Sequence, residues 1–168
     1  MIMPLTVGPM HLSNNRNFEV QRTNNFEVVF EGLSEDVTLS VASCSLSNIS
    51  NDPIEIPYGN SKVKVAGQAT FDDVSLVVND YIVADLEKQL WAWRKKVFDP
   101  ETMKVGWAED YKRNGRLYQY GPDGTVQRVW RLIGCWPTGF ESSEFSYDGS
   151  DKKQITLPIS VDQAYPER

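Results

Sequence analysis

The residues able to do chemistry are few and scattered. His11 is the only histidine of the 168 residues. It sits in a polar stretch whose next acid is Glu19. An imidazole acting as a base needs a positioned partner, and none lies nearby in sequence. Asp72 and Asp73 form the only tight acidic pair near a strand start. Neighbours on an extended chain point to opposite faces, so this pair does not span one glycosidic bond as two facing carboxylates. A short aspartate beside a strand more simply takes nearby backbone N–H groups. The two cysteines, Cys44 and Cys135, belong to no CxxC or Cys/His cluster, which excludes a zinc site of ordinary spacing. They are read as two small buried thiols, with a disulfide within or between chains as the other reading. No nucleophile elbow, phosphate loop, dinucleotide loop or HExxH helix occurs. Residue types alone therefore assign no catalytic residue, metal or cofactor.

Two other groups of residues invite binding rather than catalysis. The tryptophans are Trp91, Trp93, Trp107, Trp130 and Trp136. Aromatic rings can form a sugar platform, but Trp93 falls on an apolar helix face and Trp130 and Trp136 fall in strand patterns, which favours packing in a core or interface. Lys112, Arg113, Arg116, Arg128 and Arg131 crowd one hairpin. Such a stripe can hold phosphates. Against a formal net charge of −6, a patch for an acidic protein partner or a neighbouring subunit fits better. An acidic chain can still surround nucleic acid that must slide without sticking.

The elements that would position these residues are mostly strands. Residues 1–24 form a polar, Asn-rich arm that packs on something else or stays mobile until it does. It lacks a basic region followed by an apolar run, so it does not read as a secretion signal, and no stretch reaches membrane-spanning length. Phe26, Val28 and Phe30 alternate with Glu27, Val29 and Glu31, as do Val37, Leu39 and Val41 with Thr38, Ser40 and Ala42. With the turn at residues 32–36 they predict an antiparallel hairpin. Residues 47–61 read as a long loop, since Pro53, Pro57 and Gly59 exclude helix. Its apolar residues Ile54, Ile56 and Tyr58 need a partner surface. Alternation returns at 62–71 and at Val74, Leu76 and Val78.

One helix is predicted over about 82–98, capped by Asp80, with Ile82, Leu86, Leu90, Trp93 and Val97 on one face and Asp99-Pro100 as its stop. Strands at 118–120 and 125–136 flank the turn signal Gly121-Pro122-Asp123-Gly124. Phe140–Tyr147 and Ile155–Val161 complete the set, the last as an edge or bulged strand because Pro158 lacks a donor. Seven or eight strands and one helix give a mainly β chain: an antiparallel β-sandwich or barrel with a flanking helix, arm 1–24 followed by domain 25–168.

Two segments carry more information than this pattern. The first runs Val65-Ala66-Gly67, then Thr70-Phe71-Asp72-Asp73, a strand, and Asn79-Asp80 before the helix. The second holds Gly134, then Trp136-Pro137-Thr138, followed by two closing strands. Both resemble the tail tube proteins of contractile-tailed bacteriophages, with spacing kept from about Asn25 to Asp162. The arm is longer than expected for the plain tube subunit, so a tube-initiating, terminal or baseplate ring of the same fold stands beside the repeating subunit. The tube of a type VI-like contractile injector is a further alternative, as is a carbohydrate-binding or hydrolytic β-sandwich.

The resemblance implies a structural virion protein rather than an enzyme. Six copies would close a ring whose strands form one continuous barrel around a lumen, and rings would stack into the inner tube of the tail. It implies contacts with the sheath, with baseplate and tail terminator proteins, and with a tape-measure protein in the lumen. Genomic DNA would pass during ejection without sequence-specific binding or any membrane insertion of the chain. Assembly would occur in the cytoplasm of the bacterial host, and the loop with Ile54, Ile56, Pro57 and Tyr58 would reach the adjacent ring. Six copies at −6 each would carry −36 per ring, and acids lining the channel would repel DNA within the roughly 8 Å that salt leaves unscreened.

Overall fold

The computed structural model describes Asn17 and residues 19–167. His11 and most of the arm expected over 1–24 lie outside the described residues. The strands are β1 (Phe26–Phe30), β2 (Val41–Cys44), β3 (Ile49–Tyr58), β4 (Ser61–Phe71), β5 (Val74–Asn79), β6 (Phe98–Asp99), β7 (Lys104–Val105), β8 (Arg113–Tyr120), β9 (Val126–Pro137), β10 (Glu141–Ser142), β11 (Gln154–Ser160) and β12 (Gln163–Pro166). The helices are α1 (Glu35–Leu39), α2 (Leu86–Val97) and α3 (Ala108–Tyr111).

Eight strands form one folded-over antiparallel sheet in the order β1-β8-β9-β11-β5-β2, with β12 added to β9 and β10 to β11. β9 joins its halves. Its first ten residues pair with β8 and β12, and Trp136 and Pro137 then pair with β11. The interior alternates as a half-buried sheet should. Val28, Phe30, Leu117 and Leu132 from one half meet Val74, Leu76, Val78, Ile155, Leu157 and Ile159 from the other, and Leu86, Leu90 and Trp93 of α2 pack against them. This is the expected mainly β architecture with a flanking helix.

Several local expectations are corrected. The predicted β1–β2 hairpin does not form: β1 pairs with β8, and β2 with β5. Residues 35–39 are a short helix instead. Alternation at Val37 and Leu39 could not distinguish the two, since only Val37 is buried while Leu39 is 74% exposed. Residues 47–61 are not a loop. Most of them form β3, which pairs with β4 in a long two-stranded ribbon from Ile49↔Phe71 to Tyr58↔Ser61, with a bulge between Asn51 and Pro53. Proline is tolerated on an edge where its missing donor faces outward, and Pro53 and Pro57, four residues apart, face the same way.

The principal helix starts at Leu86, not Ile82. Asp85, in a left-handed conformation at φ 45°, breaks the backbone there, and Ile82 is fully exposed. Asp80 is therefore no N-cap. Its carboxylate binds Lys153 Nζ at 3.1 Å. Of the strand expected over Phe140–Tyr147 only β10 exists, and Phe145 and Tyr147 lie in exposed chain. Nor is β11 an edge. Pro158 lies between β5 and the point where β9 ends and β10 begins. Its carbonyl accepts Thr138 N–H at 2.8 Å on that side, so its missing donor faces a break in the ladder.

Candidate assembly surface

The β3–β4 ribbon is the longest largely exposed element among the described residues. Its register puts Ile54, Ile56 and Tyr58 on one face, opposite Val65, Val63 and Ser61. These apolar side chains are between 43% and 77% exposed. The other face is charged. Lys62 and Lys64 approach Glu55 at 2.6 and 3.7 Å, on a ribbon turned by Gly59. An isolated two-stranded ribbon is marginal in water, and an uncovered apolar face adds to the cost.

The first sequence segment builds the root of this ribbon. Gly67 faces the bulge so closely that an added Cβ would lie 2.3 Å from the Asp52 carbonyl oxygen, while Asn51 Nδ2 donates to Gly67 O at 3.1 Å. Thr70 and Ser50 hydroxyls meet at 3.0 Å across the strands. Phe71 packs on the core. Asp72 N–H donates to Asn48 O at 3.0 Å, and Ser47 Oγ donates to Asp72 O at 2.6 Å. Asp73 is exposed beside it, with the core residue Val74 next. At the far end of β5, Asn79 Oδ1 accepts Gln154 Nε2 at 3.0 Å, and Lys153 gathers Asp80 and Glu87.

The second segment builds the crossing from one half-sheet to the other. Gly134 holds φ +69°, and an added Cβ would lie 2.1 Å from Asp162 Oδ2. Trp136 packs on Tyr111 with centroids 5.7 Å apart, Pro137 is buried, and Thr138 Oγ1 donates to Pro158 O at 3.1 Å. The two segments thus lie at separate joints of the fold and do not converge on one pocket.

The basic stripe is largely engaged within the chain. Lys112 binds Asp162 at 2.6 Å, Arg116 and Arg131 reach Glu167 at 3.6 and 3.9 Å, and Arg113 donates to Glu31 O at 2.9 Å while lying over the Trp93 ring. Burial lowers the Arg113 pKa. Trp93 is buried and its Nε1 donates to Tyr111 O at 2.8 Å. Trp91 meets Phe140 edge-on, and Trp107 is 77% exposed. Cys44 and Cys135 form no disulfide with each other within the chain, and burial pushes each thiol up to about 12.

A chain of alternating strands is expected to leave open edges, but the sequence does not show which strands form them. β1 and β2 carry no ladder partner on their outer sides among the described residues. They face one another across an open groove of about 980 Å³ lined in part by Phe26, Val28, Leu39, Val41 and Leu117. Recognising β8 as the partner of β1, from Phe26↔Gln119 to Phe30↔Gly115, would have exposed them; local alternation does not carry that pairing. Among the described residues, no helix is long and apolar enough to cross a membrane.

Comparison with known proteins places this arrangement. A model of the T4-like virus tail tube protein gp19 family matches residues 22–163. Tail tube protein gp19 of Enterobacteria phage T4 is 25% identical over 143 residues, covering 82% of this chain and 88% of that protein. Among solved structures, a chain of the PVC extracellular contractile injection system sheath–tube complex superposes with a TM-score of 0.71 at 16% identity, covering 96% of this chain and 99% of that one. A chain of the anti-feeding prophage tube-terminating cap gives 0.68 at 20% identity, covering 88% and 91%. These likenesses carry the fold, and the family match carries descent: the chain belongs to the T4-like virus tail tube protein gp19 family.

Proposed function

We propose that the chain is a structural subunit of a contractile tail tube, closing into sixfold rings that stack around a channel. The observation that carries this reading is the pair of open sheet edges, β1 and β2, on a chain of this family. Open edges invite strand pairing with another chain, and ring closure satisfies all of them at once. The exposed apolar face of β3–β4 is then the contact to a neighbouring subunit. An obligate interface of about 2,000 Å², half of it apolar, yields about 25 kcal/mol before association costs. The two sequence segments serve this design as joints: Val65 to Asp73 root the ribbon, Asn79 and Asp80 fix the end of β5, and Gly134 to Thr138 carry β9 between half-sheets.

The role is architectural rather than catalytic. Its partners are further copies of itself, the tail sheath outside, baseplate and terminator proteins at the ends, and a tape-measure protein within. DNA passes the lumen held by no base-specific contact. The virion tail is its place of work. The likeness to gp19 of phage T4 favours the repeating tube subunit over an initiating or terminal ring. Mass measurement of the purified chain tests ring closure. A species of ~115 kDa, six times the 19.1 kDa chain, is expected; a persistent 19.1 kDa monomer at tens of micromolar contradicts the proposal.

A further inference from the structure

A second exposed apolar patch lies away from the ribbon. Leu39 is 74% exposed, Tyr81 53%, Ile82 100% and Val83 98%. Leu39 ends α1, and Tyr81, Ile82, Val83 and Ala84 form one turn, closed by Asp85 N–H donating to Tyr81 O at 3.0 Å and by the left-handed Asp85. Ser40 O accepts Asn79 N–H at 2.9 Å, which ties the two segments together, and a shallow depression opens between Asp36, Leu39, Tyr81 and Val83. Single exposed apolar residues are ordinary, but contiguous ones mark contact surfaces.

The position of this patch identifies what covers it. β2 and β5 are antiparallel neighbours. The ribbon leaves from the end of β2 and returns at the start of β5, whereas Leu39 precedes β2 and Tyr81 follows β5. Ribbon and patch therefore occupy opposite ends of one strand pair, about 20 Å apart for a six-residue β5. Copies that stack head to tail bring unlike ends together, so each end must complement the other rather than itself. The two ends do so. Both are apolar, and near its tip the ribbon's Lys62 and Lys64 exceed their single partner Glu55 by one positive charge, whereas Asp36 lines the depression and Glu35 and Asp85 adjoin the patch in sequence.

We propose that Leu39 and the Tyr81–Ala84 turn form the seat for the β3–β4 ribbon of a second copy in the adjacent ring, with Tyr58 at the ribbon tip entering the depression. This rests on the tube reading above, and supplies the receiving surface that it leaves open.

Cross-linking the full chain tests the pairing. Tyr58→Cys and Ile82→Cys replace exposed residues; native Cys135 is buried, and Cys44, only half-buried, is replaced by Cys44→Ser in every variant. Under mild oxidation the double variant is expected to give a covalent ladder of dimers, trimers and longer species, and an equal mixture of the two single variants a disulfide dimer. Ile82→Glu is the companion: rings of six are expected to persist while stacked tubes disappear, with monomer melting unchanged. Tubes that form without any Tyr58–Ile82 cross-link and that tolerate Ile82→Glu overturn the seat while leaving the tube reading intact. Collapse of Ile82→Glu to folded monomers also overturns it, because the contact would then lie within a ring. If the unmodified chain makes neither rings nor tubes, the tube reading itself fails, and the seat with it.

Discussion

At the scale of single residues, the family segments act through backbone shape and packing. Gly134 is the sharpest case, since its φ of +69° and the 2.1 Å approach to Asp162 leave no room for a side chain. Left-handed backbone costs an L-residue about 1–2 kcal/mol, and Gly134→Ala would also displace the carboxylate that binds Lys112. Denaturant unfolding is expected to show a loss of at least ~1–2 kcal/mol. Trp93 anchors α2 through its indole N–H and its contacts with Phe30 and Arg113. Trp93→Ala should cost about 3–5 kcal/mol, and Trp93→Phe distinctly less, because the latter keeps most of the ring volume. The two thiols yield a pH prediction. With folded values near 12 against a reference of 9.0, neither group affects stability below about pH 9. Between pH 9 and 12 the unfolded chain releases protons that the folded chain retains, so stability falls as pH rises. Alkaline unfolding should therefore be shallower in Cys135→Ala, measured relative to its own stability at pH 7. Iodoacetamide should label the native protein very slowly at pH 8, where roughly one thiol in ten thousand is ionised.

At the scale of elements, the ribbon β3–β4 separates folding from assembly. Its apolar face contributes nothing to the core of the single chain. Ile56→Asp is thus expected to shift monomer stability by no more than about 0.5 kcal/mol while abolishing higher assembly, read by thermal melting beside size-exclusion chromatography. The same elements show what was legible in the sequence. β5, β9 and β11 follow from their apolar pattern because one face of each meets the core, and the helix from its Leu86-Leu90-Trp93-Val97 spacing; of β8 only residues 118–120 were legible, since Arg113, Asn114, Gly115 and Arg116 read as loop. The helix start was not legible, because Ile82 continues the apolar period but lies in a turn stabilised by left-handed Asp85. Of the ribbon, β4 was legible as alternation over 62–71, while β3 was hidden by its prolines, which argue against a central strand but not against an exposed one. The pairing of β1 with β8 joins Phe26 to Gln119 and Phe30 to Gly115, a long-range contact that no local pattern encodes. The apolar residues of the ribbon were legible as needing a partner; the free edges and the patch at Tyr81–Ala84 needed the topology.

At the scale of the whole molecule, charge and open edges act against each other. Each chain carries −6, with 23 acids against 17 lysines and arginines, so a ring of six gathers −36 and repels itself. Raising salt from about 0.05 to about 0.5 M shortens the screening length, and the protein concentration needed for assembly is expected to fall. Light scattering across a dilution series would record this, with a rise in that concentration as the contrary result. The central claim is that this chain closes its own sheet edges by joining six copies around a channel. Electron microscopy of the purified full-length chain tests it most directly. Sixfold rings with an open centre, stacked into tubes at higher concentration, are expected; particles that stay single, or that assemble without a sixfold channel, would contradict ring closure.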